Sequence, residues 1–256
     1  MPAYRCYLFP NLFELNDERY ALLRETVLRD GRMAVFGPAT GITDGKRLSA
    51  DGISKLMGVE YELMRLQAPR RVLLNHANPI TRDLPANTVF GDSYPFGPIL
   101  LPTRAACDSA ELVTLGSAII TLAINRAGLA LREFGRGGAG NGTPGPRGAD
   151  DYAVVWSAAI PLPPALLREC ARYGGCHVWC EEDDVVLASD TIAALHSGKP
   201  GPRRLALPGP RRVVDLLTGV VLGDGLTAID FNVDAPETRI FFHGEASIDM
   251  ERILPL

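Results

Sequence analysis

The chain has 256 residues, 46% of them hydrophobic and 22% charged, enough for one large domain or a medium and a small one, with a proper core and no disorder signature. Its formal charge of −4 excludes the broad basic footprint of a nucleic-acid binder. No apolar run reaches the ~18 residues of a membrane span, the N-terminus lacks signal-peptide features, and five cysteines, an odd number without disulfide density, set a reducing cytoplasm as the expectation.

In chain order, the opening reads as a β-α-β unit. A strand over residues 4–9 ends at Pro10, and Asn16 is a helix N-cap followed by Asp17 and Glu18, whose charge suits the positive end of the helix. Tyr20, Leu22, Leu23, Val27 and Leu28 mark one broad apolar face, and Gly31 closes the helix. A second strand over 33–36 would lie parallel to the first.

The turn that follows reads Gly37-Pro38-Ala39-Thr40-Gly41. Strand carboxyl ends are where an open α/β sheet presents its functional groups, and a nucleophile there would be a Cys or Ser on a sharp elbow. The turn offers no thiol and only the unactivated hydroxyl of Thr40, so an enzyme-like scaffold carries an empty site.

A short helix is predicted from the Ser49 cap to Met57, ended by Gly58, then strand-like runs at 71–74, 88–90, 99–101, 111–120 and 128–134. Residues 135–149 are glycine-rich and read as a flexible loop. A strand at 152–157 and a helix from Pro163 through Tyr173 complete this part. From His177 the texture changes to short β-rich runs at 177–179, 185–188, 192–196, 204–207, 212–216, 228–233 and 238–242, separated by turn residues. That spacing predicts a small antiparallel sheet or sandwich, with the domain boundary near 198.

Several segments, in order, resemble a known family. Tyr4-Arg-Cys-Tyr-Leu-Phe-Pro-Asn-Leu-Phe-Glu-Leu-Asn-Asp-Glu18, Asn78-Pro-Ile-Thr-Arg-Asp-Leu84, His177-Val-Trp-Cys-Glu-Glu-Asp-Asp-Val-Val-Leu-Ala-Ser189 and Val213-Val-Asp-Leu-Leu-Thr-Gly219 are similar to stretches of the glutamine-amidotransferase-like (trimerisation) domain and following β domain of β-galactosidase-type glycoside hydrolases. The resemblance implies an α/β, flavodoxin-like, open and mostly parallel sheet over 1–198, followed by a small antiparallel β domain over 199–256. In that family the pair follows a catalytic (β/α)₈ barrel. The barrel and the first βα unit have no counterpart here, so the resemblance implies a fragment or split product, and residues 135–149 read as a loop insertion.

Glycoside hydrolysis needs two carboxylates flanking a sugar, which draws attention to Glu181-Glu182-Asp183-Asp184. Neighbouring residues on a strand point to opposite faces, so a solvated turn is the expected role. Cys176, His177 and Cys180 could supply three metal ligands, but core packing is the expected role of the cysteines, and no metal or cofactor is expected. Two readings follow. The preferred one is a non-catalytic assembly or support module, a pseudoenzyme that binds its own copies or a glycoside hydrolase barrel chain, with carbohydrate nearby. The rival is a carbohydrate-active hydrolase, or a subunit of one, using Glu182, Asp184 or His177 in an inter-domain cleft.

Overall fold

A computed structural model describes residues 3–120, 126–135 and 148–245. Most of the glycine-rich insertion therefore lies outside the described residues. The chain divides into two compact units, Met1–Cys176 and His177–Leu256. Among the described residues no helix is long and apolar enough to cross a membrane.

The first unit begins with β1 (Cys6–Phe9), α1 (Asp17–Thr26) and β2 (Arg32–Phe36). Asn16 caps α1, its side chain accepting from the Arg19 N–H at 2.9 Å, with Asp17 and Glu18 in the first turn. The helix ends at Thr26, short of the expected Gly31. Asp30 and Gly31, at φ 57° and 68°, instead turn the chain into β2.

Then follow α2 (Asp51–Met57), β3 (Tyr61–Met64), β4 (Ala68–Leu74), β5 (Val89–Phe96), β6 (Ile99–Pro102), α3 (Arg104–Asp108), β7 (Val113–Ile119), β8 (Ala127–Phe134), β9 (Tyr152–Ser157) and α4 (Pro164–Tyr173). Gly58, left-handed at φ 64°, ends α2. On α4, Leu166, Cys170 and Tyr173 share one buried face at helical spacing.

Seven strands form one sheet in the order β1-β2-β9-β8-β7-β4-β5, and β3 pairs with β6 separately. The β1–β2 and β2–β9 pairings are parallel, and the other four in the large sheet are antiparallel. This overturns the flavodoxin-like expectation: the structure is mostly β, its large sheet mixed and curled. The reason is connectivity. A parallel neighbour needs a crossover of a dozen or more residues, usually a helix; the link from Ile119 of β7 to Ala127 of β8 is too short for one, and among the described residues no helix separates β4 from β5. The parallel trio is the part whose connections carry α1 and longer crossovers. β9 is buried along its whole length, as suits a strand covered on both faces, and Trp156, Phe36, Met33 and Leu129 fill the core beside it.

The second unit is a five-stranded antiparallel sheet of β10 (Val185–Ala188), β11 (Ile192–Ser197), β12 (Gly201–Asp215), β13 (Val221–Val233) and β14 (Glu237–Gly244), in the order β10-β11-β14-β12-β13. The runs at 204–207 and 212–216 merge into β12, whose register with β13 slips between Ala206 and Arg211. Residues 177–179, expected as a strand, belong to none. The expected boundary near 198 falls between β11 and β12, two strands of this one sheet. Ala193, Leu195, Leu205, Val213, Ile229 and Phe241 make its core.

Candidate functional site

The first place to look for chemistry is the carboxyl ends of the parallel strands β1, β2 and β9. Here the turn after β2 is packed into the protein. The Gly37 N–H donates to the Phe9 carbonyl at 3.0 Å, and a Cβ on Gly37 would sit 2.1 Å from the Pro10 carbonyl oxygen. Gly41, at φ 64°, and Gly52 of α2 press together so closely that a Cβ on Gly52 would lie 2.6 Å from the Gly41 oxygen. Thr40 is fully buried and its hydroxyl donates to the Gly37 carbonyl at 2.9 Å. At the end of β9, the buried Ser157 hydroxyl donates to the Ala159 carbonyl at 2.7 Å and accepts from the Ala159 N–H at 3.2 Å. Both hydroxyls thus serve backbone groups, and none of the three glycines has room for a side chain.

An open hollow of about 470 Å³ lies where α1 and α2 begin, lined by Asn16, Asp17, Asp44, Lys46 and Lys55 among others. Two of its carboxylates are engaged. Asp17 pairs with Lys55 at 2.7 Å, and Asp44 accepts from the Lys46 and Arg47 N–H groups at 2.8 and 2.9 Å.

The acidic run lies in the second unit, where each proposed residue has a partner of its own. Asp184 forms an ion pair with Arg203 of β12, and both side chains are only 7% exposed. The guanidinium also donates to Ser197 Oγ at 2.7 Å and to the Lys199 and Pro202 carbonyls at 2.9 Å. Burial pushes the Asp184 carboxyl up, but hydrogen bonds from Arg203 and Ser197 and the Arg203 charge outweigh it and hold the group below the usual carboxylate range. A carboxylate so placed is an anionic strut, unsuited to proton donation near neutral pH.

Glu182 is exposed and accepts from Cys180 Sγ at 3.0 Å. Burial and this carboxylate push the Cys180 thiol up to about 11. His177 is exposed, with Nε2 3.0 Å from the Ala206 carbonyl and its ring edge-on to Trp179 at 5.0 Å. Glu182, Asp184 and His177 therefore contact Cys180, Arg203 and Ala206 respectively. The trio of Cys176, His177 and Cys180 does not assemble a ligand set, and among the described residues no group of three His, Cys, Asp or Glu side chains is placed to hold a metal.

Two features escape sequence reasoning. Arg203 carries no local sequence mark of burial, yet it is the buried partner of Asp184. His243 of β14 is fully buried against Trp179, ring centroids 5.2 Å apart, and burial, then the Arg211 charge, push it below the usual imidazole value.

With this geometry in place, the fold has a counterpart among solved structures. It is similar to part of a β-galactosidase from Bacillus circulans sp. alkalophilus, with 13% identity and a TM-score of 0.57 over 94% of this chain and 33% of that one. The β-galactosidase of the Antarctic haloarchaeon Halorubrum lacusprofundi aligns at 13% identity and a TM-score of 0.49, over 95% of this chain and 32% of that one. Gan42B, a GH42 β-galactosidase of G. stearothermophilus, gives 12% and 0.48 over 93% and 32%. The chain spans about a third of the length of these structures, and the likeness is one of fold. No protein-family model and no curated protein matches it in sequence.

Proposed function

We propose that this chain is a non-catalytic assembly or support module of a β-galactosidase-type system, binding its own copies or a barrel-bearing hydrolase chain. The observation that carries this reading is the Asp184–Arg203 pair: the one shielded carboxylate of the acidic run is neutralised by a guanidinium that is itself fully engaged. The closed turn at 37–41 favours the same reading, because it leaves no place for an amidotransferase nucleophile. The fold match adds context, since nearly all of this chain corresponds to a minor part of a β-galactosidase.

The test is to incubate the purified chain with an aryl β-galactoside and with glutamine, and to measure its mass in solution by light scattering. No turnover of either compound, with a mass above that of one chain or a shift on adding a β-galactosidase barrel chain, is the expected result. Hydrolysis that disappears in Glu182→Gln or Asp184→Asn protein that remains folded would overturn the proposal.

A further inference from the structure

We infer that the bulged end of β5 is a carbohydrate-binding site, where Tyr94 and Phe96 receive the C–H face of a neutral sugar while Arg70 and Asp92 hold two of its neighbouring hydroxyls. This goes beyond the assembly role, because it gives the chain a ligand of its own. β5 is the last strand of the large sheet, so one of its edges has no strand beside it. Its pairing with β4 passes from Asp92, opposite Arg70, to Phe96, opposite Ala68, and residues 93–95 bulge out of the ladder between them. Such a bulge re-aims side chains. Tyr94 is 66% exposed and Phe96 45%, and their ring centroids lie 5.4 Å apart with the planes tilted by 50°. The two rings form an aromatic wall open to solvent.

The polar groups beside this wall are uncommitted. The Arg70 guanidinium lies over the Phe96 ring, 5.4 Å from its centroid, a contact that restrains it. Among the described residues it has no hydrogen-bond or ion-pair partner. Asp92 Oδ1 accepts from the Tyr94 N–H at 2.8 Å, and Oδ2 has no partner among the described residues. Burial pushes the guanidinium below its usual value and the Asp92 charge opposes that shift. The two groups thus feel each other without closing an ion pair.

A free donor set beside a free acceptor selects a ligand that accepts and donates at once. Vicinal hydroxyls of a pyranose do so: one oxygen accepts from an Arg70 N–H, and the neighbouring O–H donates to Asp92 Oδ2. The C–H face of the same sugar meets the electron-rich faces of the aromatic rings. An anion would meet the Asp92 charge, and a cation the Arg70 charge. A peptide strand would find a broken edge, since the bulge interrupts the ladder and Pro95 has no N–H to offer. An open hollow of about 310 Å³ begins at Gly97, the residue after Phe96, lined by Leu66, Gln67 and Pro98 among others. It gives room for a further sugar unit, so the ligand is an oligosaccharide.

Calorimetric titration of the full chain with cellobiose, lactose and β-1,4-galactobiose tests the site, and at least one should bind. Tyr94→Ala and Phe96→Ala should each weaken that binding about tenfold, and Arg70→Gln and Asp92→Asn several-fold, in proteins whose circular dichroism is unchanged. Phe13→Ala, which removes a ring 52% exposed on another segment, should leave binding as it was. Light scattering should give Tyr94→Ala the same mass as the unaltered chain, which separates this site from any contact between copies. No heat with any of the three sugars at about 20 mM, or binding that survives both aromatic substitutions, would overturn the inference. So would tighter binding of galacturonic acid than of galactose, or a loss of mass in Tyr94→Ala.

Discussion

The two units close off their candidate chemistry by different means. In the first, backbone packs on backbone: Gly37 against Pro10, Gly41 against Gly52, with Thr40 and Ser157 turned onto carbonyls. In the second, a smaller core is accompanied by a shielded ion pair and a buried histidine. The comparison teaches that packing and charge can both remove a polar group from service, but only charge makes the result depend on pH. Each unit also holds one of the two tryptophans, Trp156 in the first and Trp179 in the second, so the units can be followed separately by fluorescence.

The largest effect is expected from Trp156→Ala. The ring is fully buried in β9 and packs edge-on to Tyr61 at 5.0 Å, and deleting such a side chain costs about 3–5 kcal/mol. Urea unfolding followed through Trp179 and circular dichroism should show the first unit's transition moving while the second unit's does not. Gly37→Ala comes next, at about 1–3 kcal/mol, because the added methyl meets a carbonyl oxygen that belongs to the backbone and cannot swing aside. The same variant should leave the Trp179 transition unchanged, which sharpens the distinction between the units.

Acid should then separate them. His243 is held neutral by burial, below its usual value, whereas an unfolded histidine gains a proton near pH 6.5. Its contribution is present above that pH and is lost as pH falls below it. Asp184, lowered in the folded state, adds a contribution present above about pH 4 and lost as pH falls through the folded value. The second unit should therefore weaken in two acid steps. In the first unit Asp17 and Asp44 are also lowered, by Lys55 and by backbone N–H groups respectively, but they are exposed and solvent-screened, so its acid dependence should be shallower. The smallest effect belongs to Arg204→Ala: its pair with Asp230 at 2.7 Å is about two-thirds exposed on both sides, and its loss should shift unfolding by under about 1 kcal/mol.

What the sequence reveals and what it hides follow the same physical line. The Asn16 cap, the Gly58 stop, the apolar run of β9 and the amphipathic α4 are set by neighbours within a few residues, and they are legible. Most strands of the second unit show through their turn residues for the same reason. The strand direction in the first unit is also within reach: no helix is predicted between the runs from 71 to 134, which favours antiparallel neighbours, and the flavodoxin-like expectation comes from the family resemblance instead. β3 and α3 are too short to leave a periodic signal. The site residues depend on distant partners. Nothing near Asp184 announces Arg203, since that pairing is made only when separate elements pack.

The account rests most directly on Asp184 being a structural anion. In a Trp156→Phe background, Asp184→Asn should lower the stability of the second unit at neutral pH, as read by Trp179 fluorescence in urea, and should abolish the acid step below about pH 4, with hydrolysis of an aryl β-galactoside absent before and after the substitution. Unchanged stability, together with a β-galactosidase activity that the substitution removes, would contradict it.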